Sequence, residues 1–559
     1  MPPQPPRNQP APPPTGGKWN VLKAAELLIL PAIYASLSQL NLSPVYGSIP
    51  ASLFHQHGIL GTSLIVWVFK PQLQSIIPKN IIYFLPVLAF WIPTLQFFLF
   101  KISGNLGATY GPLITEILTI YPLAIFSVHF AASFLDRLDL HRFNKHIAEA
   151  APGILSYFLF SITEKTASTA IPMYLGKNLL VTRARLELAI STLYAVSLPS
   201  NWLVYVIPSL LFSTTYNTHM PMQHTTAKLN ETLHSYDYSL LARNESVTGY
   251  ISVLENLKDG FRVMRCDHSL LGGEWIATQK DHVGRVNEPI YAVFAMLEAV
   301  RLVEISGVSY QKSVDTDKHA LVIGLGIGTT PGALIAHGIN TTIVEIDPVV
   351  YQYALDYFSL PLNHTAVIRD AASVVLEAQA TKDTRRYDYI IHDVFTGGAE
   401  PVTLFTQEFI AGLRYLLKRN GVVAINYAGD LLLPSASIVV KTITSVFPTC
   451  RIFRESAASE DKNLVHDFTN LVIFCTNSRK RFSFRLPGPD DFLGSGARQA
   501  FLLPRYEVPL SKFNLNELSD SDILRMDHTY HLASSQMYSA VGHWNLMRTV
   551  LPSSIWENW

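Results

Sequence analysis

The stretch "ALVIGLGIGTTPGALIAHGINTTIVEID", from Ala320 to Asp347, constrains this chain more than any other. A β-branched run enters three closely spaced glycines, a helical stretch follows, and a second β-branched run ends in acid. Units of this kind pack in parallel sheets and hold nucleotide-bearing cofactors. The alternation continues downstream. Strand-like runs fall near 319–323, 341–345, 365–369, 387–392, 421–426, 448–453 and 470–475, with helical stretches between the first six. That pattern predicts an α/β domain on a doubly wound sheet with helices on both faces. Ligands of such sheets bind beyond the carboxyl ends of the strands, at the switch point. The residues to read are therefore those just after each strand.

The first 215 residues have another texture. Charged residues make up 15% of the 559-residue chain, against about 25% on average, and the deficit is concentrated there. Apolar runs near 27–46, 52–69, 80–100, 111–135, 153–175 and 188–213 approach or exceed the ~20 residues that cross a bilayer. Six spans are expected, and five to seven fit the pattern. Basic residues favour a cytoplasmic N-terminus (Arg7, Lys18 and Lys23 before the first run, Lys70 and Lys79 after the second, Arg137, Arg142 and Lys145 after the fourth). With six spans the C-terminal domain is then cytosolic, and the sequons at Asn230, Asn244, Asn340 and Asn363 are unused. Lys177, Arg183 and Arg185 run against that rule. Glu164 and Lys165 interrupt the fifth run; a broken or interfacial segment is the plainer reading, a functional intramembrane site the other.

The expected organisation is a disordered Pro-rich tail (1–20), with eight prolines in residues 2–14, followed by an α-helical multi-pass membrane domain (21–215). A small β domain with a linking helix (246–317), a cofactor-binding α/β domain (318–480) and a C-terminal extension (481–559) complete it. Zero net charge points away from nucleic acid. Cys266, Cys450 and Cys475 form no CxxC pair, so buried thiols in a reducing compartment are expected rather than a disulfide framework or a zinc site.

Gly324, Gly326 and Gly328 follow the first strand, and the helix after them aims its N-terminus at the site. Glu345 ends the next strand, where an acid can accept both ribose hydroxyls. A dinucleotide loop reads G-x-G-x-x-G/A; here Thr329 takes the third small position and glycine comes one residue early. That spacing suits an S-adenosyl cofactor, with a dinucleotide or no cofactor as the alternatives. Asp370 follows the third strand, where its carboxylate and the Ala371 amide can take adenine, or it can simply cap the next helix. Asp393 tips the fourth strand. If the acceptor is an amine, it must lose a proton before attacking, and a carboxylate here can orient the cation and accept that proton. The plainer alternative is an Asp that satisfies loop amides. Glu400 is a candidate second cation contact or a solvated acid. Asp267, His268 and Ser269 are strand neighbours that cannot converge into a triad, and 527–531 lacks a metal-ligand pattern.

The stretches "TGYISVLEN", "RCDHSLLGGEW", "VIGLGIG", "VEIDP", "RDAA" and "YDYIIHDVFTGGAEPVTLFTQEF" together resemble the spermidine/spermine synthase (aminopropyltransferase) family, in its membrane-fused branch. The resemblance covers about Ser246 to Cys475. It implies a small β domain followed by a methyltransferase-like Rossmann domain, with aminopropyl transfer from decarboxylated S-adenosylmethionine to a polyamine. It also implies Glu345 as the ribose acid, Asp370 on the adenine side, Asp393 as catalytic acid and Tyr291 lining the substrate site; helix core is the alternative for Tyr291. Two family carboxylates are missing, with Ile327 and Thr396 in their places. The leading expectation is a membrane-anchored aminopropyltransferase-like enzyme that uses decarboxylated S-adenosylmethionine or S-adenosylmethionine, with no metal. The alternatives are a membrane-tethered S-adenosylmethionine-dependent methyltransferase and a non-catalytic polyamine sensor or transporter-linked domain. Expected partners are a small-molecule amine and the lipid bilayer, with a homodimer as one arrangement of the chain.

Overall fold

A computed structural model describes residues 16–138, 145–178, 180–276, 286–308, 315–394, 401–458 and 467–559. The Pro-rich tail to residue 15, Thr396 and Glu400 lie outside them; residues 17–20 already belong to the first helix.

The N-terminal part is helical. Gly17–Tyr46 and Lys79–Phe100 are long and apolar enough to cross a membrane, and the pair Ser103–Leu118 and Ile120–Leu135, bent by 43°, adds a third if it is one span. Six spans are therefore not found among the described residues. Run 52–69 breaks at Phe54, leaving a helix of 14 residues, His55–Val68. Run 188–213 breaks between Arg183–Ser197 and Ile207–Thr215. Run 153–175 lies in the helix Lys145–Tyr174, which carries charge at its middle yet continues unbroken through Glu164. Glu164 turns into the bundle, with His55 Nε2 3.8 Å away, and Lys165 turns out. That corrects the expectation of a broken segment.

A five-stranded antiparallel sheet follows, in the order β1 (Tyr238–Ser246), β2 (Gly249–Asn256), β3 (Phe261–Cys266), β4 (Ser269–Trp275) and β5 (Glu288–Pro289). Next come β6 (Val303–Ile305), β7 (His319–Ile323), β8 (Asn340–Glu345), β9 (Thr365–Ile368), β10 (Tyr387–His392), β11 (Leu417–Asp430), β12 (Thr449–Arg454), β13 (Phe468–Thr476), β14 (Phe482–Phe484) and β15 (Tyr506–Val508). β6 pairs with β14. The others form one eight-stranded sheet, ordered β15-β12-β13-β11-β10-β7-β8-β9. β9, β8, β7, β10 and β11 pair in parallel; β13 runs antiparallel to both β11 and β12. The central strands are apolar because helices cover both faces: Ala320–Ile323 and ten consecutive residues of β11 are buried. The strand order reverses between β7 and β10, which opens a crevice at their carboxyl ends.

Two expectations about the rest of the chain change. Cys450 and Cys475 sit opposite each other on β12 and β13 and form a disulfide; only Cys266 is a buried thiol. The last 80 residues, expected only as a C-terminal extension, pack into the body of the molecule. The helix Tyr530–Val550 packs across the β domain, and the chain end inserts between that domain and the helical bundle. Trp559 packs with Leu42, Tyr46, Phe100 and Tyr250. The fully buried Arg265 guanidinium donates to the carbonyls of Pro44, Ile555, Trp556 and Asn558. Arg183, also buried, donates to Asp267 at 3.2 Å.

Candidate active site

A cavity of about 530 Å³ opens at the carboxyl ends of β7, β8 and β10 and runs under β4 and the helix Tyr530–Val550. Gly324, Gly326, Glu345, Asp370, Ala371, Asp393 and Tyr291 all line it. Gly328 does not; it caps the following helix in a left-handed conformation, at φ +88°. Gly324 has φ +82°, and a Cβ there would collide with the Asp393 carbonyl oxygen. Its missing side chain therefore lets the loop close on the end of β10.

Glu345 is buried. Its Oε2 accepts from the Leu325 amide and its Oε1 from the Asp347 amide, each at 2.9 Å. Burial outweighs those hydrogen bonds and pushes its carboxyl up to about 7. Asp347 ties the two domains together across this edge: its carboxylate caps the next helix and accepts from the Ser246 and Thr248 hydroxyls of the β1–β2 turn. Asp370 caps its helix, accepting from Ala372 and Ser373, and still faces the cavity, so both readings of it hold geometrically.

Asp393 looks into the cavity with one oxygen held: Asn426 Nδ2 donates to its Oδ1 at 2.8 Å. The surrounding walls push its carboxyl up to about 6, and the Asn426 bond offsets part of that. The Tyr291 hydroxyl is buried without a hydrogen-bond partner; burial and, to a smaller extent, Glu455 push it up to about 12. Sequence reasoning missed Asn426, Glu455, Asn470 and His543. Asn426 lies inside a buried strand, and the others come from segments whose approach to the site depends on how strands and helices cross. His543 donates to or accepts from Ser269 at 3.1 Å, and burial pulls its imidazole down to about 4.

Ile327 explains why one family carboxylate is absent. It is buried in an apolar cluster with Ile251, Val253 and Met264, and its side chain abuts Gly272. An acid there would be buried unpaired, at a cost of several kcal/mol. Among the described residues, no group of three or more His, Cys, Asp or Glu side chains is arranged to hold a metal.

The donor set fits an S-adenosyl group. Glu345 keeps lone pairs that could meet ribose hydroxyls, Asp370 and Ala371 line the same cavity where an adenine could sit, and the described lining carries four carboxylates and no Lys or Arg, a balance that favours a sulfonium cation. The fold and site define an S-adenosyl-dependent transferase. Comparison with known proteins narrows the class. Residues 301–453 match the spermine/spermidine synthase domain family. A polyamine aminopropyltransferase of Vibrio vulnificus is 33% identical over 24% of this chain and 46% of its own. A probable spermidine synthase from Corynebacterium glutamicum of known structure overlays with a TM-score of 0.36 at 14% identity, covering 51% of this chain and 94% of that one. In contrast, the N-terminal histidine N-methyltransferase of Emericella nidulans is 49% identical over 96% of this chain and 97% of its own. The chain belongs to the family of that methyltransferase. The aminopropyltransferase assignment, and with it the decarboxylated cofactor, is corrected: the synthase family matches residues 301–453, whereas the methyltransferase matches 96% of the chain at 49% identity.

Proposed function

We propose that the chain is an S-adenosylmethionine-dependent methyltransferase that methylates a nitrogen of an N-terminal histidine. The observation that carries this reading is the 49% identity with the Emericella nidulans enzyme over nearly the whole of both chains. Bound S-adenosylmethionine supplies a methyl group on sulfonium and is left as a neutral thioether. The chain's residues do the rest. Glu345 and Asp370 hold the nucleoside so that the sulfonium faces Asp393. Asp393, steadied by Asn426, accepts a hydrogen bond from one imidazole N–H and so fixes the tautomer in which the other ring nitrogen carries its lone pair toward the methyl. The N–C bond forms as the S–C bond breaks, and the methylimidazolium gives its remaining ring proton to Asp393. A carboxyl with its pKa near 6 suits an exchange with an imidazole near 6.5.

For location, we place the helical part in a membrane, supported by the spans Gly17–Tyr46 and Lys79–Phe100. The Cys450–Cys475 disulfide favours an oxidising compartment for the α/β domain. We therefore favour that compartment over the cytosolic placement expected from basic residues; Asn244, Asn340 and Asn363 of the sequons are exposed.

The test is product analysis by mass spectrometry. Membranes carrying the full-length chain receive S-adenosylmethionine and its decarboxylated form, a peptide beginning with histidine, and spermidine. S-adenosylhomocysteine and methylated peptide are expected, both lost with Asp393→Asn. Asp393-dependent methylthioadenosine with aminopropylated spermidine would overturn the reading.

A further inference from the structure

We infer that Glu455, with Asn470 and Tyr291, forms a subsite for the protonated α-amino group of the substrate peptide. This rests on the methyltransferase reading above and names the part of the site that would select a chain terminus.

Four carboxylates line the cavity among the described residues. Glu345 and Asp370 stand after β8 and β9, on one side of β7. Asp393 follows β10 at the switch point. Glu455 follows β12, three strands beyond β10, on the side away from the nucleoside acids. Three strand spacings come to about 14 Å. Two carboxylate side chains reaching inward from that distance leave room between them for a single histidine.

Glu455 is built into place. Its Oε1 accepts from the Ala292 amide at 3.1 Å and its Oε2 from Asn470 Nδ2 at 2.8 Å, and its own amide donates to the Asn470 carbonyl at 3.2 Å. Each carboxylate oxygen keeps a further lone pair. Asn470 keeps its Oδ1 as an acceptor, because Nδ2 is spent on Glu455. The Tyr291 hydroxyl is buried, lacks a partner and senses the Glu455 charge. These three oxygen-bearing groups line one cavity with no Lys or Arg among its described residues. An ammonium has three donors and one positive charge, which matches that set; an acylated amine has one donor and no charge.

The experiment uses the full-length chain in membranes and two probe peptides of one sequence beginning with histidine, one with a free amino terminus and one N-acetylated. The ratio of kcat/KM between them is measured for the wild type, Glu455→Gln and Asn470→Ala, together with the KM for S-adenosylmethionine. A ratio does not depend on how much of a variant folds. The wild type should favour the free terminus by about 10–100-fold, the usual range for a hydrogen bond to a charged group. Glu455→Gln should bring the ratio close to one, Asn470→Ala should lower it less, and the cofactor KM should stay within about twofold. A ratio unchanged in Glu455→Gln overturns the subsite. A rise in cofactor KM with the ratio preserved also overturns it, because Glu455 would then hold the amino group of the cofactor. A wild type that methylates neither peptide overturns the methyltransferase reading itself, and the subsite with it.

Discussion

Asp393 and Glu345 are carboxyls whose ionisation is displaced toward neutral pH by the walls that shape the cavity, and the proposed mechanism uses both in the ionised form. Asp393, pushed up to about 6, is protonated below that pH and cannot take a ring proton. The kcat should therefore rise with pH through about 6 and then level, as read from initial rates at saturating peptide. Asn426→Ala removes a donor that favours the charged form, so this limb should move to higher pH while the product stays the same. Glu345 is pushed up to about 7; on the proposed ribose role its carboxylate accepts from two hydroxyls better than the neutral acid does, so the KM for S-adenosylmethionine should fall as pH rises through about 7. Glu345→Gln should raise that KM and flatten its pH dependence. Asp393→Asn should lower kcat by about 10²–10⁴-fold with cofactor binding retained, measured by equilibrium dialysis. These residues were legible because strand ends announce themselves: a β-branched run, then glycine or acid. Asn426 was not, because it sits in the middle of a buried strand where an amide looks like any other interruption.

The seven strands read from alternation at 319–475 all occur within a few residues; β7, β10 and β11 are the clearest, because parallel strands buried at the centre of a sheet demand near-continuous apolar runs. Helical spans were over-read for the complementary reason. A window long enough to count a span averages over short polar breaks, such as His55, Gln56 and His57 after Phe54, or Pro199, Ser200 and Asn201 in the last run. The helix Tyr530–Val550 and the segment Ser553–Glu557 gave no recognisable pattern, yet they supply one wall of the cavity and the seam between domains. Trp556 is fully buried there and its indole Nε1 donates to Met547 and Leu551 carbonyls. Trp556→Ala should destabilise by about 3–5 kcal/mol, seen as a lower midpoint in thermal unfolding of detergent-solubilised protein. It should also weaken peptide KM more than cofactor KM, since Met547, whose carbonyl accepts from the Trp556 indole, lines the cavity.

For the whole molecule, the expected outcomes concern the membrane and the compartment. Full-length protein should resist extraction by alkaline carbonate, and removing residues 17–138, which include both qualifying spans, should release what remains. If the α/β domain faces an oxidising compartment, Cys450→Ser should cost about 3.5 kcal/mol of stability, the value for a loop of this length. A cytosolic domain should lose nothing, because the thiols would already be reduced. Local pattern was enough to set the α/β architecture, the cofactor class and the acids at Glu345, Asp370 and Asp393, because each follows from spacing along a strand, a loop and a helix start. It did not set the cysteine pairing, the number of spans, or the roles of Glu455, Asn470 and the chain end. Those depend on which distant segments the sheet order and the domain seam bring together. Residues 25 to several hundred positions apart meet only when burial of apolar surface has chosen their neighbours, and no periodicity along the chain records that choice.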